Sequence, residues 1–266
     1  GARNGTTILG KIFHSFDNVE YIYEPPMLFS LFALIDSLAK DNWKLLYETY
    51  LYEEFLMNAL AGRNLNCNKQ DDSSIYKVKP KKEIERRQSI SLPKIKTEKL
   101  AYMSRIVWKI PDIVPFIPKL IEYYPKTTII MITRGAAEVL NSLMKKNWFS
   151  DEALKNENLI WPNSITNGFH VPFWVQKEDD KLWCEMNELD RCAYYYIRMS
   201  EASRDVPNCK TITYNSLVND PYDTILYLSE ELNMTWGKKT EEIISTVKRN
   251  KIDRDMNIIN KLSRKY

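Results

Sequence analysis

Two clusters in this chain have the residue types and spacing to hold phosphate. The first is Arg3-Asn4-Gly5-Thr6-Thr7, a glycine turn with one cation and two adjacent hydroxyls, running directly into the amphipathic stretch Ile8-Leu9-Gly10-Lys11-Ile12-Phe13. In such a loop the free N–H groups that open a helix converge, the helix dipole favours an anion, and the hydroxyls and guanidinium add donors. The Gly-Lys-Ser/Thr ending of the nucleotide triphosphatase loop is absent. A Gly-Thr-Thr turn that only caps its helix is the plainer alternative. The second cluster is Ile130-Met131-Ile132-Thr133-Arg134, followed by Ser142. Here a buried strand delivers an arginine to its C-terminal end, where open α/β sheets bind ligands, and the serine follows two helical turns later. Arginine grips phosphate through a charged fork and serine through its hydroxyl. Taken singly, Arg134 also reads as a helix-end ion-pair partner and Ser142 as a surface residue.

The elements that must position these residues follow from periodicity and turn signals. A helix is expected over 6–16, opening on the loop, and a short strand at Val19–Tyr23, stopped by Pro25-Pro26. Helical spacing covers 27–61, as two helices broken near Lys40-Asp41. Residues 62–100 are rich in Asn, Asp, Ser and Lys and read as a surface insertion or lid, with a solvated linker as the alternative. Arg105–Pro111 reads as a strand into a turn, 112–124 as a helix, Thr127–Thr133 as a buried strand and Ala136–Lys146 as a helix. Residues 147–183 are expected to be loop-rich and hold Trp148, Phe149, Trp161, Phe169, Phe173, Trp174 and Trp183. Helices are expected at 186–204, 221–233 and 238–249, and a strand at Thr211–Tyr214. Strands alternating with helices imply a mainly parallel sheet covered on both faces, in one α/β domain over residues 1–266. A phosphate loop of this kind normally follows a buried strand. The first strand is therefore expected upstream of Gly1, which leaves room there for a targeting segment or anchor.

Composition narrows the function classes. Of the 266 residues, 44% are hydrophobic and 12% aromatic, enough for a substantial core. The net charge of +3, from 38 basic and 35 acidic residues, is too balanced for reading long stretches of nucleic acid, yet permits one basic pocket. Only His14 and His170 are present, which argues against a histidine-rich metal site. Cys67, Cys184, Cys192 and Cys209 form no C-x-x-C pair; they suit a reducing compartment or two disulfides. No apolar run is long enough to span a membrane.

The loop and the Arg134/Ser142 pair together resemble the PAPS-dependent sulfotransferase family. In that family an Arg/Lys-Ser-Gly-Thr-Thr loop holds the 5′-phosphosulfate, and a strand-end Arg with a Ser eight positions on holds the 3′-phosphate. Three more segments are similar, in the same order. Tyr23-Glu24-Pro25 looks like the Tyr-Glu-Pro that ends the second strand in carbohydrate and tyrosylprotein sulfotransferases. Lys109-Ile110-Pro111 looks like their Lys-Thr-Pro or Lys-Ser-Pro turn. Ile212–Pro221 resembles the Tyr-Glu-Asp-Leu-…-Asp-Pro stretch late in the domain.

The resemblance implies a P-loop-like three-layer α/β fold, with a mainly parallel central sheet flanked by helices and with loop and helical insertions over the active site. It implies in-line transfer of a sulfuryl group from PAPS to an acceptor hydroxyl or amine, PAP as product, and no metal. Glu24 would be the general base, Lys109 would approach the bridging oxygen or sulfonate, and Arg3 would stabilise the leaving phosphate. Arg3, Asn4, Gly5, Thr6, Thr7, Arg134, Ser142 and Tyr214 would bind the donor, with Tyr214 lining the adenine pocket or simply packing in the core. Glu24 and Lys109 also read as a structural ion pair.

The acceptor is expected to be a small molecule, with a glycan or a protein tyrosine as alternatives. Residues 62–100 and 147–185 would wall its site, with Trp148, Phe149, His170 and Trp174 as candidate contacts. Glu178, Asp179, Asp180 and Glu185 form either a cation-attracting patch or a solvated acidic turn. The sequence departs from the family pattern at Asn4, where Ser is usual, and in two further places. Thr133-Arg134-Gly135-Ala136 stands where Arg-Asp-Pro is usual, and the Arg-Lys-Gly phosphate loop is missing, with Arg249, Lys251 and Arg254 as possible substitutes. Cytoplasmic residence is expected, or the Golgi lumen should an upstream anchor exist. The other classes in play are a P-loop nucleotide kinase and a silent nucleotide-binding module.

Overall fold

Four short strands carry the loops of interest, and their β-branched and aromatic content suits burial on both faces. In the computed structural model, which describes residues 2–89, 94–157, 159, 162–204, 206–248, 255 and 257–263, they form two separate parallel pairs. β1 (Val19–Tyr23) runs beside β2 (Arg105–Lys109), in register from Val19↔Arg105 to Tyr23↔Lys109. β3 (Ile129–Thr133) runs beside β6 (Cys209–Thr213), from Ile129↔Cys209 to Thr133↔Thr213. Each pair ends flush, so the side chains that follow the strands emerge at one level. β4 (Asn163–Thr166) and β5 (Phe169–Pro172) make an antiparallel hairpin inside the aromatic-rich segment. The architecture is mixed α/β with short parallel sheets. The single continuous sheet expected from the alternation is instead divided between β2 and β3.

Helices supply the crossovers. α1 (Thr6–His14) leads into β1. Between β1 and β2 lie α2 (Pro26–Ala33), α3 (Lys40–Thr49), a π-helical continuation Tyr50–Met57 into α4 (Asn58–Leu60), α5 (Ile75–Val78), α6 (Lys81–Ser89) and α7 (Lys94–Met103). A 3₁₀ turn at Pro111–Phe116 and α8 (Ile117–Tyr123) join β2 to β3. α9 (Ala136–Met144), α10 (Asp151–Leu154), α11 (Asp180–Glu185) and α12 (Glu188–Ala202) precede β6. α13 (Tyr214–Asn219), α14 (Pro221–Leu232) and α15 (Lys238–Ile244) follow it.

Successive strand residues feed two different cores. Val19, Val107, Ile130 and Ile132 join α1, α14 and α15 in one cluster. Ile22, Ile106, Trp108, Ile129 and Met131 join α2, α3, α8, α9 and α12 in the other. The strands are thus covered on both faces, as parallel strands must be.

The 62–100 segment corrects the expectation of a lid. Its described part folds as α5, α6 and the start of α7, and its anchors reach the beginning of β1, at the far end of that strand from Glu24. Arg87 is buried and donates to Glu20 Oε1 at 2.5 Å and to the Ala59 carbonyl at 3.1 Å, with Glu83 as a second carboxylate. Lys79, also buried, donates to the carbonyls of Val19 (2.7 Å) and Phe16 (3.2 Å). Within this polar segment Lys79 and Arg87 are used inside the fold, while Lys69, Asp71, Asp72, Lys81, Lys82 and Glu85 stay exposed. Trp161 and the tail residues Arg249, Lys251 and Arg254 lie outside the described residues, as does Gly1.

Two stability predictions follow from this corner of the fold. Arg87→Met leaves the Glu20 carboxylate buried without its partner, and should lower the unfolding free energy by about 3–5 kcal/mol in urea titrations. His14 packs against Tyr21 with the two rings tilted, and burial with the nearby Lys79 and Arg87 charges pushes its pKa from 6.5 down to about 3. The unfolded chain therefore binds a proton at His14 that the native state refuses. Stability from this group is full above pH 6.5 and drains away as pH falls toward 3, with a slope of up to about 1.4 kcal/mol per pH unit. Urea midpoints measured from pH 7 to pH 4.5 should show a shallower decline in His14→Gln than in the parent.

Candidate active site

The opening loop folds as it does because two of its residues take left-handed backbone conformations, Arg3 at φ 65° and Gly5 at φ 94°. At Gly5 the requirement is doubled: a Cβ there would stand 2.6 Å from Tyr214 Cδ2 and 3.3 Å from Ile132 Cδ1. The turn is thereby seated on the end of β3 and the start of α13. The Asn4 side-chain amide donates to the Ile132 carbonyl at 3.0 Å. Gly5 caps α1 without any side-chain hydrogen bond to the helix N-terminus. The backbone N–H groups of Thr6, Thr7 and Ile8 thus open toward the loop.

The loop cation and the strand-end arginine meet. Arg134 Nη1 donates to the Arg3 carbonyl at 3.0 Å, and Arg3 Nε donates to Ser142 Oγ at 2.9 Å. Arg134 is further fixed by Glu138 Oε2 (3.1 Å from Nε) and lies 4.1 Å above the centroid of the Tyr214 ring. Its side chain is 5% exposed, and Nη2 has no partner among the described residues. Buried donors are seldom left unmatched, so this atom marks a place for an acceptor. Arg3 also reaches toward the exposed Trp148, 5.9 Å from that ring's centroid.

At the end of the other strand pair, Glu24 follows β1 with φ 42°, and its N–H is held by the Lys109 carbonyl at 3.0 Å. The Lys109 ammonium contacts Glu24 Oε1 directly and lies 4.5 Å from the Tyr23 ring centroid. Tyr23 lies near Thr7, Glu24 and Arg3; burial and the Glu24 charge raise its pKa. Glu24 and Arg134 directly follow β1 and β3 and Lys109 ends β2, while Arg3–Gly5 form the opening turn, Thr6 and Thr7 start α1, and Ser142 lies on α9.

Other expected positions are placed differently. Tyr214 is not the last residue of a strand. Thr213 caps a new helix through a reciprocal bond with Ser216, and the buried Tyr214 ring packs under Gly5 and Arg134, so it supports the site instead of offering a face to adenine. Phe149 and Trp174 are core residues, packed on Trp183 and Tyr195, and leave only Trp148 of the neighbouring aromatics exposed beside Arg3. His170 sits on β5 with Nδ1 2.6 Å from Asn163 Oδ1, across the hairpin. Asp180 pairs with Lys177, and Asp179 accepts from the Tyr194 hydroxyl, so the acidic turn is engaged within its own neighbourhood.

Sequence reasoning did not single out Asp112 and Tyr195. The Ala2 N–H donates to the Tyr195 hydroxyl at 2.6 Å, which donates in turn to Asp112 Oδ1 at 2.6 Å, all buried. Burial pushes the Asp112 carboxyl up to about 6. Asp112 lies one residue past the Lys-Ile-Pro turn, a charged residue next to an apolar run, and that was the available signal. Among the described residues no cluster of three or more His, Cys, Asp or Glu is arranged to hold a metal, and no helix is long and apolar enough to cross a membrane. The chain matches no family model, no curated protein and no solved structure.

Gly5→Ala is the sharpest probe of this geometry. Strain at a left-handed position, with a side chain forced against Tyr214, should cost about 1–3 kcal/mol in thermal or urea unfolding. The Tyr214→Ala/Gly5→Ala double variant should recover the steric part and leave the backbone part.

Proposed function

We propose that this chain is a PAPS-dependent sulfotransferase, in a P-loop-like three-layer fold, acting on a hydroxyl or amine of a small-molecule acceptor. The observation that carries the reading is the meeting of Arg3, Arg134 and Ser142 at one point. Two anion grips 131 residues apart in sequence are linked by a 3.0 Å hydrogen bond, with an unmatched buried guanidinium nitrogen between them. An adenosine donor phosphorylated at both ends fits that donor set: Arg134 and Ser142 on the 3′-phosphate, Arg3 and the N–H groups of the Gly5–Thr7 turn on the 5′ end. Binding would exchange the Arg3–Ser142 contact for contacts to the two phosphates.

The donor supplies the sulfuryl group. The chain's own part is positioning and charge. Arg3 and the turn N–H groups hold the growing negative charge of the departing phosphate, Lys109 steadies the oxygens in flight, and a Glu24 carboxylate oxygen takes the acceptor proton. The contact between Lys109 and Glu24 keeps both groups at the end of one strand pair, ready for that division of labour. Trp148, exposed beside Arg3, is the aromatic surface nearest the site. Four free thiols accord with a reducing compartment, and cytoplasmic residence belongs to the same proposal.

Glu24→Gln should lower turnover by about 10²–10⁴-fold and leave PAP affinity within twofold. Arg134→Ala should weaken PAP binding by about 2 kcal/mol, near thirtyfold, as measured by calorimetry. The opposite pattern would overturn the assigned roles. Thermal stabilisation by ATP with Mg²⁺ but not by PAP would overturn the reaction class in favour of a kinase. PAP binding without turnover of any acceptor, unchanged in Glu24→Gln, would mark a silent binding module.

A further inference from the structure

Helix α12 carries three tyrosines in succession, Tyr194-Tyr195-Tyr196. Consecutive residues of an α-helix point about 100° apart, so such a run cannot share one face. Here each hydroxyl takes up a different backbone group. Tyr194 accepts from the Gln176 N–H at 3.2 Å and donates to Asp179 Oδ2 at 2.6 Å, on the side of the acidic turn. Tyr195 accepts from the Ala2 N–H and donates to Asp112. Tyr196 donates to the Arg134 carbonyl at 3.2 Å. The helix packs both against α9, which carries Ser142, and against the 3₁₀ turn that carries Asp112.

The bonds of Tyr195 and Tyr196 close a circuit. Arg134 Nη1 donates to the Arg3 carbonyl, and Arg3 follows Ala2 directly. From Tyr195 the path runs through Ala2 and Arg3 to Arg134, and back to Tyr196, the next residue of the helix. Two neighbouring side chains of one helix thereby set where the opening turn and the strand-end arginine stand relative to each other. Packing does not require the hydroxyls. The Tyr195 ring makes the contacts to Phe149 and Trp174, at centroid distances of 5.6 and 5.0 Å, and a phenylalanine keeps them. The polarity of the relay is fixed as well. Because the Tyr195 oxygen accepts from Ala2, its single proton is left for Asp112.

We infer that Tyr195 and Tyr196 are positioning residues for the two anion grips: Tyr195 for the one built on Arg3 and the Gly5 turn, Tyr196 for the one built on Arg134. Each acts through the backbone it holds. Together they keep the grips at a set spacing, so that neither has to be ordered when a ligand arrives. The assignment of one phosphate to each grip rests on the donor reading above; the holding of the two backbones does not.

The test deletes one hydroxyl at a time. Calorimetry reads the affinities of PAP, adenosine 5′-phosphate and adenosine 3′-phosphate for the parent, Tyr195→Phe, Tyr196→Phe and the control Tyr194→Phe, which removes an equivalent relay on another side of the same helix. Tyr195→Phe should weaken PAP and the 5′-phosphate about tenfold and the 3′-phosphate by no more than about threefold. Tyr196→Phe should weaken PAP and the 3′-phosphate about tenfold and spare the 5′-phosphate to the same degree. Tyr194→Phe should leave all of them within about twofold. Equal weakening of the three ligands by both variants, or the same losses in Tyr194→Phe, defeats the inference in favour of a general structural role. A parent that binds none of the three removes the donor reading alone, and the ligand-free protein then decides. There the amide heteronuclear NOE at Asn4 and Gly5 should fall in Tyr195→Phe, that at Gly135 should fall in Tyr196→Phe, and neither should move in Tyr194→Phe. Unchanged values in the first two variants sink the proposal. Should Tyr195→Phe not fold, Asp112→Asn weakens the same relay from its other end and takes its place in both readouts.

Discussion

The site depends on a turn that only glycine can make at position 5. A left-handed φ of 94° and the close approach of Tyr214 and Ile132 leave no room for a side chain, so the loop settles directly on the end of β3. From that seat the rest follows geometrically. Asn4 reaches the Ile132 carbonyl, Arg3 presents its own carbonyl to Arg134, and the Arg3 guanidinium turns to Ser142 on α9. Two parallel strand pairs are needed as well, one carrying Glu24 and Lys109 at its end and the other Arg134, with Lys109 and Arg134 lining one cavity.

Charge at this rim is concentrated but restrained. Each cation has one principal anchor: Arg134 on Glu138, Lys109 on Glu24, Arg3 on the neutral Ser142. The Tyr214 and Tyr23 rings lie against Arg134 and Lys109, lending the favourable face of an aromatic quadrupole without neutralising charge. Three cations against two carboxylates leave a surplus of positive charge where the loop N–H groups also converge. Such an arrangement tolerates its own repulsion only because the guanidiniums are forked and individually tethered, and it leaves donors over for an anion.

Much of this was legible in the sequence because it rests on short-range rules. β1 was readable to the residue from Val19–Tyr23, since alternation and the following prolines bound it tightly. β3, α9 and α12 followed from apolar runs and periodicity. The hairpin at 163–172 was missed although Asn167-Gly168, both with positive φ (51° and 77°), is a strong hairpin signal between Ile165 and Phe169. The density of aromatics around it suggested a binding loop instead. Tyr214 was read as strand because Thr-Ile-Thr-Tyr looks extended, whereas Thr213 and Ser216 cap a helix there. The 62–100 segment misled for a different reason. Composition counts charges but cannot say that Arg87 and Lys79 are spent on Glu20 and on the carbonyls of Phe16 and Val19.

The aromatic-rich segment shows how a core can serve a site without touching it. Phe149, Trp174, Trp183 and Tyr195 pack edge to face or tilted, and the fully buried Arg191 ties their backbone together through the carbonyls of Phe149, Trp183 and Cys184. That cluster leaves the Tyr195 ring little freedom, so its hydroxyl is presented at a fixed point, where it donates to Asp112 and accepts from Ala2. A buried carboxyl such as Asp112 is costly unless matched, and the tyrosine bond is what makes it tolerable. The strand-end turn after β2, the long helix α12 and Ala2, the residue just before the opening loop, are thereby locked to one another. Aromatic mass that composition alone would assign to an acceptor pocket instead fixes the frame from which Arg3, Glu24 and Lys109 project.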